Sequence, residues 1–414
     1  MVVLKEKVRK LLLSSQKLTK TDNVYIFKHG SFLMLGNIVN MGISFILSVA
    51  FARLLPKEVF GQYRYVLSLM TIFSISSLWG INDSIVQSVA RGLEKTFNEG
   101  FKIKLKWSLI GSFASIIGSL YFFGQHNNGI AFSLLIVAVF MPIFKAGELF
   151  QALLDGRKLF DKRVVYTTII QIISTLALIS TMFISKNLIF LIFTYFFFYG
   201  MLRLGAYLLI NKKFKPNAND DPQAIPYGKH LSVIKILTIA SQEIDKFLVF
   251  NLLGGVQTAI YSFAVLPIEY IRSPLQSLQQ LALPKLSVGN ENDTKKTLPK
   301  KLVMISALIL VGILIYYILA PYFYEILYPQ YLSSVPYSRL FSLSLLVFPI
   351  SMMMLALQAK NRTKELYKSN LVQSVSQIIL AIILTPLWGI TGIIMARLLS
   401  YVFYFFSTWF FFKK

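Results

Sequence analysis

The chain contains no cysteine, so it has no disulfide, no thiolate nucleophile and no Cys-ligated metal. Histidine is nearly as scarce: His29, His126 and His230 are scattered too widely to suggest a metal motif. No G-x-x-x-x-G-K-S/T stretch occurs, which argues against ATP hydrolysis. Charge is also in short supply: Asp, Glu, Lys and Arg make up 14% of 414 residues, against about 25% in an ordinary soluble domain. The deficit falls on one sign, with 18 acidic residues facing 42 basic ones. No cofactor is expected.

Hydrophobic residues account for 55% of the chain and aromatic ones for 14%. Apolar runs of about 18 residues or more recur throughout, which is the pattern of a polytopic, all-α membrane protein. Twelve spans are expected, near 31–52, 63–82, 105–124, 131–153, 164–184, 188–210, 231–251, 258–282, 302–320, 338–358, 367–385 and 391–411. The first 29 residues are basic and the run after them is too long for the core of a signal peptide. Val3, Leu4, Val8, Leu11 and Leu12 could share one face of a short surface helix, and a plain solvated tail fits equally well.

Between the expected spans the basic residues alternate in density. With the N-terminus placed in the cytoplasm, 32 Lys and Arg fall in cytoplasmic segments and five (Arg53, Lys57, Arg64, Lys186, Arg339) in outer ones. The asymmetry orients both termini to the cytoplasm and requires an even number of spans. It also accounts for the formal net charge of +24 without a nucleic-acid partner, the lipid bilayer being the expected partner. Arg53 and Arg64, at the outer mouth, read as interfacial anchors.

The chain shows a trace of duplication. Leu54-Leu55 precedes Tyr63 and Tyr65, and Leu252-Leu253 precedes Tyr261 and Phe263 at the same offset, each set between two apolar runs. Short basic turns follow spans four (Asp155-Gly156-Arg157-Lys158) and ten (Lys360-Asn361-Arg362-Thr363-Lys364). The expected organisation is a cytoplasmic segment 1–29, a first lobe 30–210, a polar linker 211–230 with Pro216, Pro222 and Pro226, and a second lobe 231–414, related as a parallel repeat.

Nine ionisable residues lie within the spans: Lys145, Glu148, Arg203, Glu243, Asp245, Lys246, Glu269, Arg272 and Arg397. Exposing all of them to lipid would cost roughly 20–30 kcal/mol, more than a typical net stability of about 5–15 kcal/mol. Most must therefore face the bundle interior or a watery cavity. Arg203, Arg272, Arg397 and Lys145 are candidates for holding an anionic substrate, since a guanidinium grips a phosphate through two parallel hydrogen bonds. Arg203 and Arg397 have no acidic neighbour in their own spans, and helix-to-helix ion pairs are the competing reading. Asp245, Glu243, Glu269 and Glu148 are candidates for coupling to an ion or gating. Glu148 three residues from Lys145 could equally neutralise it, and Asp245 or Glu243 could pair with Lys246. Pro267 and Pro274 flank Glu269 and Arg272 and predict a kinked or broken eighth span. Asn37, Asn40, Gln87, Gln171, Gln242, Gln276, Gln279, Gln280, Gln373 and Gln377 add neutral hydrogen-bonding groups that suit sugars, although polar contact between helices explains any one of them.

The stretch A-R-L-L-P-K-E-V-F-G-Q-Y (Ala52–Tyr63), the loop A-L-L-D-G-R-K-L-F (Ala152–Phe160) and the string E-I-D-K-F-L-V-F-N-L-L-G (Glu243–Gly254) followed by Ala259-Ile260-Tyr261 together resemble the Wzx-type polysaccharide flippases. The resemblance runs from about Lys28 to the end of the chain. It implies two six-helix lobes around a cationic cavity and movement of an undecaprenyl-pyrophosphate-linked oligosaccharide across the bacterial inner membrane, as in O-antigen and lipopolysaccharide assembly. It further implies coupling to an H+ or Na+ gradient, an acidic role for Asp245, no enzymatic step, and a polysaccharide polymerase as a further partner. A drug or cation antiporter of the same superfamily is the alternative and should favour acidic cavity groups. A membrane glycosyltransferase or polymerase would want paired acids in a large outer loop, whereas the longest one here (321–337) holds only Glu325.

Overall fold

The computed structural model describes residues 23–288, 291–360 and 362–413, with the backbone alone at 23–34 and 276–297. The basic N-terminal stretch with its surface-helix reading, and the side chains of Gln276, Gln279 and Gln280, lie outside the described residues. The described chain is helical throughout: α1 (Asn23–Leu54), α2 (Lys57–Phe73), α3 (Gly80–Ala90), α4 (Lys95–Gly124), α5 (Asn128–Gly147), α6 (Phe150–Gly156), α7 (Phe160–Ile184), α8 (Leu188–Phe214), α9 (Ala224–Leu253), α10 (Gly255–Val288), α11 (Glu291–Leu327), α12 (Val335–Ser342), α13 (Val347–Ala359) and α14 (Thr363–Lys413).

These helices make twelve crossings. Eight are long and apolar enough to span a bilayer, and α2 with α3, bent by 52°, supplies a ninth. The 51 residues of α14 would run about 75 Å if straight, far beyond a bilayer. Instead the helix folds back at Gly389, whose φ of 58° a side chain would resist. A Cβ on Gly392 would strike the Leu384 carbonyl, and Tyr404 donates to Asn370 at 3.3 Å, so the two arms run antiparallel. The last two crossings, α9 and α10, are less apolar because they carry Glu243, Asp245, Lys246, Glu269 and Arg272.

Local chemistry explains several boundaries. Asn127 and Asn187 cap α5 and α8 by accepting from Ile130 N and Ile189 N at 3.3 and 2.8 Å. Along α4, Ser108, Gly111, Ser112, Ser115 and Ser119 form a small-residue face that lets α5 approach closely. Ser115 and Ser119 donate across it to the Leu134 and Ala131 carbonyls at 2.8 Å.

Interruptions occur between α2 and α3 (residues 74–79), between α5 and α6 (148–149) and between α12 and α13 (343–346). Of the expected kink or break in the eighth span, the break does not occur: α10 stays helical past Pro267 and Pro274. The first interruption has a visible cause. Ser74 and Ser76 donate to the carbonyls of Thr71 and Phe73, and Leu78 sits at φ 57°. The linker is shorter than expected. α8 continues to Phe214 and α9 begins at Ala224, leaving 215–223.

That segment is tied to the loops after α3 and α6. Arg157 grips Glu94 through two bonds of 2.6 and 2.5 Å and donates to the Phe214 carbonyl at 2.9 Å. Asn217 N donates to Glu94 at 2.9 Å, and buried Asp221 accepts from Ser88 and Arg91. Arg157 holds the Glu94 carboxyl below its ordinary range. The tie is therefore fully present at neutral pH and is lost only as the pH falls through that lowered value.

Helices from the same half of the chain pack extensively on one another: α4 on α5, α5 on α8 and α1 on α7 in the first, α9 on α14 and α10 on α12 and α13 in the second. The seam between the halves is α2 and α3 against α9 and α10. At the end bearing the α1–α2 turn, a Cβ on Gly61 would land on the Gly255 carbonyl, and Phe60 meets Phe263 at 4.8 Å between ring centroids. The two duplicated turns thus abut each other. At the linker end, a Cβ on Gly80 would crowd the Gly228 carbonyl, Gly80 N donates to Ser232 at 2.9 Å, and Lys235 pairs with Asp83.

Substituting Gly61→Ala should overpack the seam and lower stability by about 1–3 kcal/mol. Gly42→Ala, where a Cβ meets nothing within 4 Å, serves as the control in the same detergent melting assay. Equal melting temperatures for the two variants would contradict this packing.

Candidate functional site

Midway along the second-half helices lies a cavity of about 610 Å³, lined by Gln242, Glu243 and Lys246 of α9, Glu269, Arg272 and Leu275 of α10, Val347, Phe348 and Ser351 of α13, and Gln373, Gln377, Arg397 and Tyr401 of α14, with Leu345. The first half contributes Arg64 from α2. Four cations and two carboxylates therefore face the space.

Of the eight residues singled out from sequence, Arg272, Arg397, Glu243 and Glu269 line this cavity. Asp245 lies behind its wall, 1% exposed, where one carboxylate oxygen accepts from Arg397 Nη1 at 3.1 Å and from the Tyr261 hydroxyl. Arg397 also approaches Glu269 at 3.9 Å and donates to the Tyr401 hydroxyl at 3.3 Å. Arg272 donates to the same hydroxyl at 3.2 Å. Tyr401 thus holds both guanidiniums beside the space. Lys246 pairs with Glu243 at 2.6 Å, which leaves Asp245 to Arg397.

The other three residues gather elsewhere. Glu148, at the interruption between α5 and α6, pairs with Lys104 at 3.2 Å and Arg203 at 3.4 Å. Lys145 lies over the Trp79 ring at 4.0 Å rather than in an ion pair with Glu148. Neither Arg203 nor Arg397 lacks an acidic partner; each finds one on a different helix. This is the interhelical pairing that competed with the phosphate-binding reading, and in the second half it coexists with an open cavity.

Two cations were misplaced by sequence reasoning. Arg64, assigned to an outer segment, lines the cavity because α2 starts at Lys57 rather than near Tyr63, which places it about 10 Å into the helix. Lys104, assigned to a cytoplasmic loop, is fully buried because α4 starts at Lys95. Helix extension beyond each apolar window was the missing consideration. Tyr401 gave no signal, since in the sequence it is one of several aromatic residues in the last span.

Chemically, the cavity offers guanidiniums for a phosphate or carboxylate, glutamine amides for hydroxyls, and an aromatic wall at Phe348 and Tyr401. Among the described residues no cluster of His, Asp and Glu is arranged to hold a metal ion.

A family model described as polysaccharide biosynthesis protein matches residues 26–287. No curated protein matches. Among solved structures, a multidrug extruder in complex with the compound MaD5 aligns at TM-score 0.62 with 13% identity, covering 93% of this chain and 96% of that one. The lipid II flippase MurJ in an inward closed conformation aligns at 0.59 with 14% identity, covering 92% and 87%. A transporter of the multidrug/oligosaccharidyl-lipid/polysaccharide superfamily from Pyrococcus furiosus, described as having a binding pocket of reversed polarity, aligns at 0.59 with 13% identity, covering 93% and 96%. At these identities the likeness is one of fold.

Removing one partner of the Asp245–Arg397 pair leaves a buried charge. Asp245→Ala should therefore cost about 3–5 kcal/mol, and Asp245→Ala with Arg397→Met should recover much of that loss. Additive losses in a double-mutant cycle would show that the two side chains do not act as a pair.

Proposed function

Because the chain belongs to the polysaccharide biosynthesis protein family and encloses a basic, glutamine-lined cavity, we propose that it is a flippase for a polyprenyl-pyrophosphate-linked oligosaccharide. One observation carries the reading: four cations against two carboxylates around a space open to polar groups. The pyrophosphate is received by Arg272, Arg397 and Arg64, whose guanidiniums replace its hydration shell. The sugars bond to Gln242, Gln373 and Gln377. The polyprenyl tail, of undecaprenyl type, stays in lipid, and no bond is made or broken.

The two halves act as rocking lobes, and the α2–α3/α9–α10 seam parts at one end at a time. With both termini cytoplasmic, movement runs from the inner to the outer leaflet of the bacterial cell membrane. Coupling to H+ or Na+ falls to Asp245 with Glu243 and Glu269. A cation arriving at Asp245 weakens its hold on Arg397 and frees that guanidinium for the pyrophosphate. The glycan, whether O-antigen or another surface polymer, is set by the neutral groups, and a polymerase receives the product.

A drug or cation antiporter shares the fold, but the cation surplus in the cavity disfavours it. Each charge-assisted hydrogen bond lost should cost about 1.5–3 kcal/mol, or roughly 10- to 100-fold in transport. Arg272→Gln and Arg64→Gln should therefore lower surface glycan by that order in a deletion strain, with the protein still present in the membrane and drug susceptibility unchanged. Normal surface glycan in both variants would overturn the assignment.

A further inference from the structure

The charge cluster of the first half does not line the cavity, and its own chemistry is unbalanced. Lys104, Lys145 and Arg203 stand around one carboxylate, Glu148. The nearby Asp83 is engaged by Lys235. The formal surplus is two positive charges. Five elements build the cluster: Trp79 before α3, Asn82 in α3, Lys104 in α4, Lys145 at the end of α5 with Glu148 just beyond it, and Arg203 in α8.

Lys104 is 0% exposed and spends two of its three N–H groups on Asn82 at 2.6 Å and Glu148 at 3.2 Å. Arg203 gives Glu148 a single N–H at 3.4 Å and lies over the Phe144 ring at 4.1 Å. Lys145 is 5% exposed and, among the described residues, makes no hydrogen bond or ion pair. Its ammonium rests over the Trp79 indole at 4.0 Å, whose Nε1 is tied to the Ser74 carbonyl at 3.0 Å. Lys145 lies within electrostatic reach of Glu148, Lys104, Arg203 and Glu243, and Glu243 is itself neutralised by Lys246 at 2.6 Å. A buried ammonium that has only a ring face, beside two further cations, is a group that calls for an anion.

We propose that the first half carries its own anion site, in which Lys145, Lys104 and Arg203 receive a phosphate group at the interruption between α5 and α6, with Glu148 as the built-in competitor that holds the cations when the site is empty. The inference rests on the flippase reading only for its purpose: a second phosphate site would let the substrate pass from one half to the other. Binding itself can be tested without transport. The ligand is a phosphate group, carried either by a soluble ion or by a lipid headgroup. A surplus of two positive charges matches a doubly charged group better than a monovalent one.

Trp79 supplies the readout. In a background with Trp107, Trp388 and Trp409 replaced by Phe, the remaining indole reports the position of the Lys145 ammonium. The purified full chain in neutral-lipid nanodiscs is titrated with inorganic phosphate and pyrophosphate, and a second sample is titrated with a short-chain phosphatidic acid. A saturable fluorescence change is expected with at least one probe, and the probe that produces it identifies the source of the phosphate. Lys145→Gln should weaken binding by at least ~10-fold, the loss of one charge-assisted contact. Arg272→Gln, in the cavity of the second half, should leave it unchanged. Glu148→Gln should tighten it, because the competing carboxylate is gone; a purely structural role for Glu148 would not produce tighter binding. No saturable change with any probe would overturn the site, as would one that survives Lys145→Gln. If Glu148→Gln fails to fold, Lys104→Gln replaces it and must also weaken binding, or the assignment falls. Anion binding together with normal glycan export in Lys145→Gln would keep the site and remove its role in transport.

Discussion

The constraint behind this structure is the burial of charge in a membrane bundle. Asp245 and Arg397, 152 residues apart, meet at 3.1 Å with the carboxylate almost wholly out of solvent. Neither could face lipid, and either alone inside the bundle would be costly. Their pairing joins α9 to the second arm of α14, and Tyr401 links Arg397 to Arg272. One wall of the cavity is therefore an ion-pair network, which can be rigid when complete and responsive when a proton or cation changes it.

The same constraint is met differently in the first half. There the space around Glu148 is filled by Lys104 and Arg203, and aromatic faces at Trp79 and Phe144 carry part of the load for the cations. Each half places an arginine in its last crossing or pair of arms, Arg203 in α8 and Arg397 in α14, and each meets a carboxylate on another helix. The halves meet where glycines permit backbone contact, at Gly61 with Gly255 and at Gly80 with Gly228. Close contacts of this kind, without long interdigitated side chains, suit surfaces that separate and rejoin.

Much of the fold was legible. Apolar runs located all twelve crossings, including α9 and α10 with their ionisable groups, and the duplicated turns proved to be neighbours in space. Helix ends were less legible, because a hydropathy window marks where lipid is and not where the hydrogen-bonded ladder starts. That offset misplaced Arg64 and Lys104. The places where helices are interrupted were less legible for a related reason. A proline deep in a bundle can be tolerated when neighbours satisfy the freed carbonyl, as at Pro267, where the Tyr324 hydroxyl donates to the Phe263 carbonyl at 2.7 Å, whereas the Ser74 and Ser76 hydroxyls compete directly for backbone carbonyls. Pairings across 55 or 152 residues, Glu148 with Arg203 and Asp245 with Arg397, follow from packing and leave no local trace. Of the eight charged candidates, four line the cavity, three gather in a separate cluster, and Asp245 lies behind the cavity wall.

The account stands on a water-filled, positively biased cavity inside the second half, and the natural absence of cysteine makes this directly measurable. Ser351→Cys places one thiol on the cavity wall, and Ser400→Cys, at a fully buried position, provides the reference. Rates of reaction with a sulfonate-bearing and a trimethylammonium-bearing methanethiosulfonate would be compared in membranes. The account predicts that Ser351→Cys reacts while Ser400→Cys does not, and that the anionic reagent is the faster of the two. An unreactive thiol at 351, or faster reaction with the cationic reagent, would contradict it.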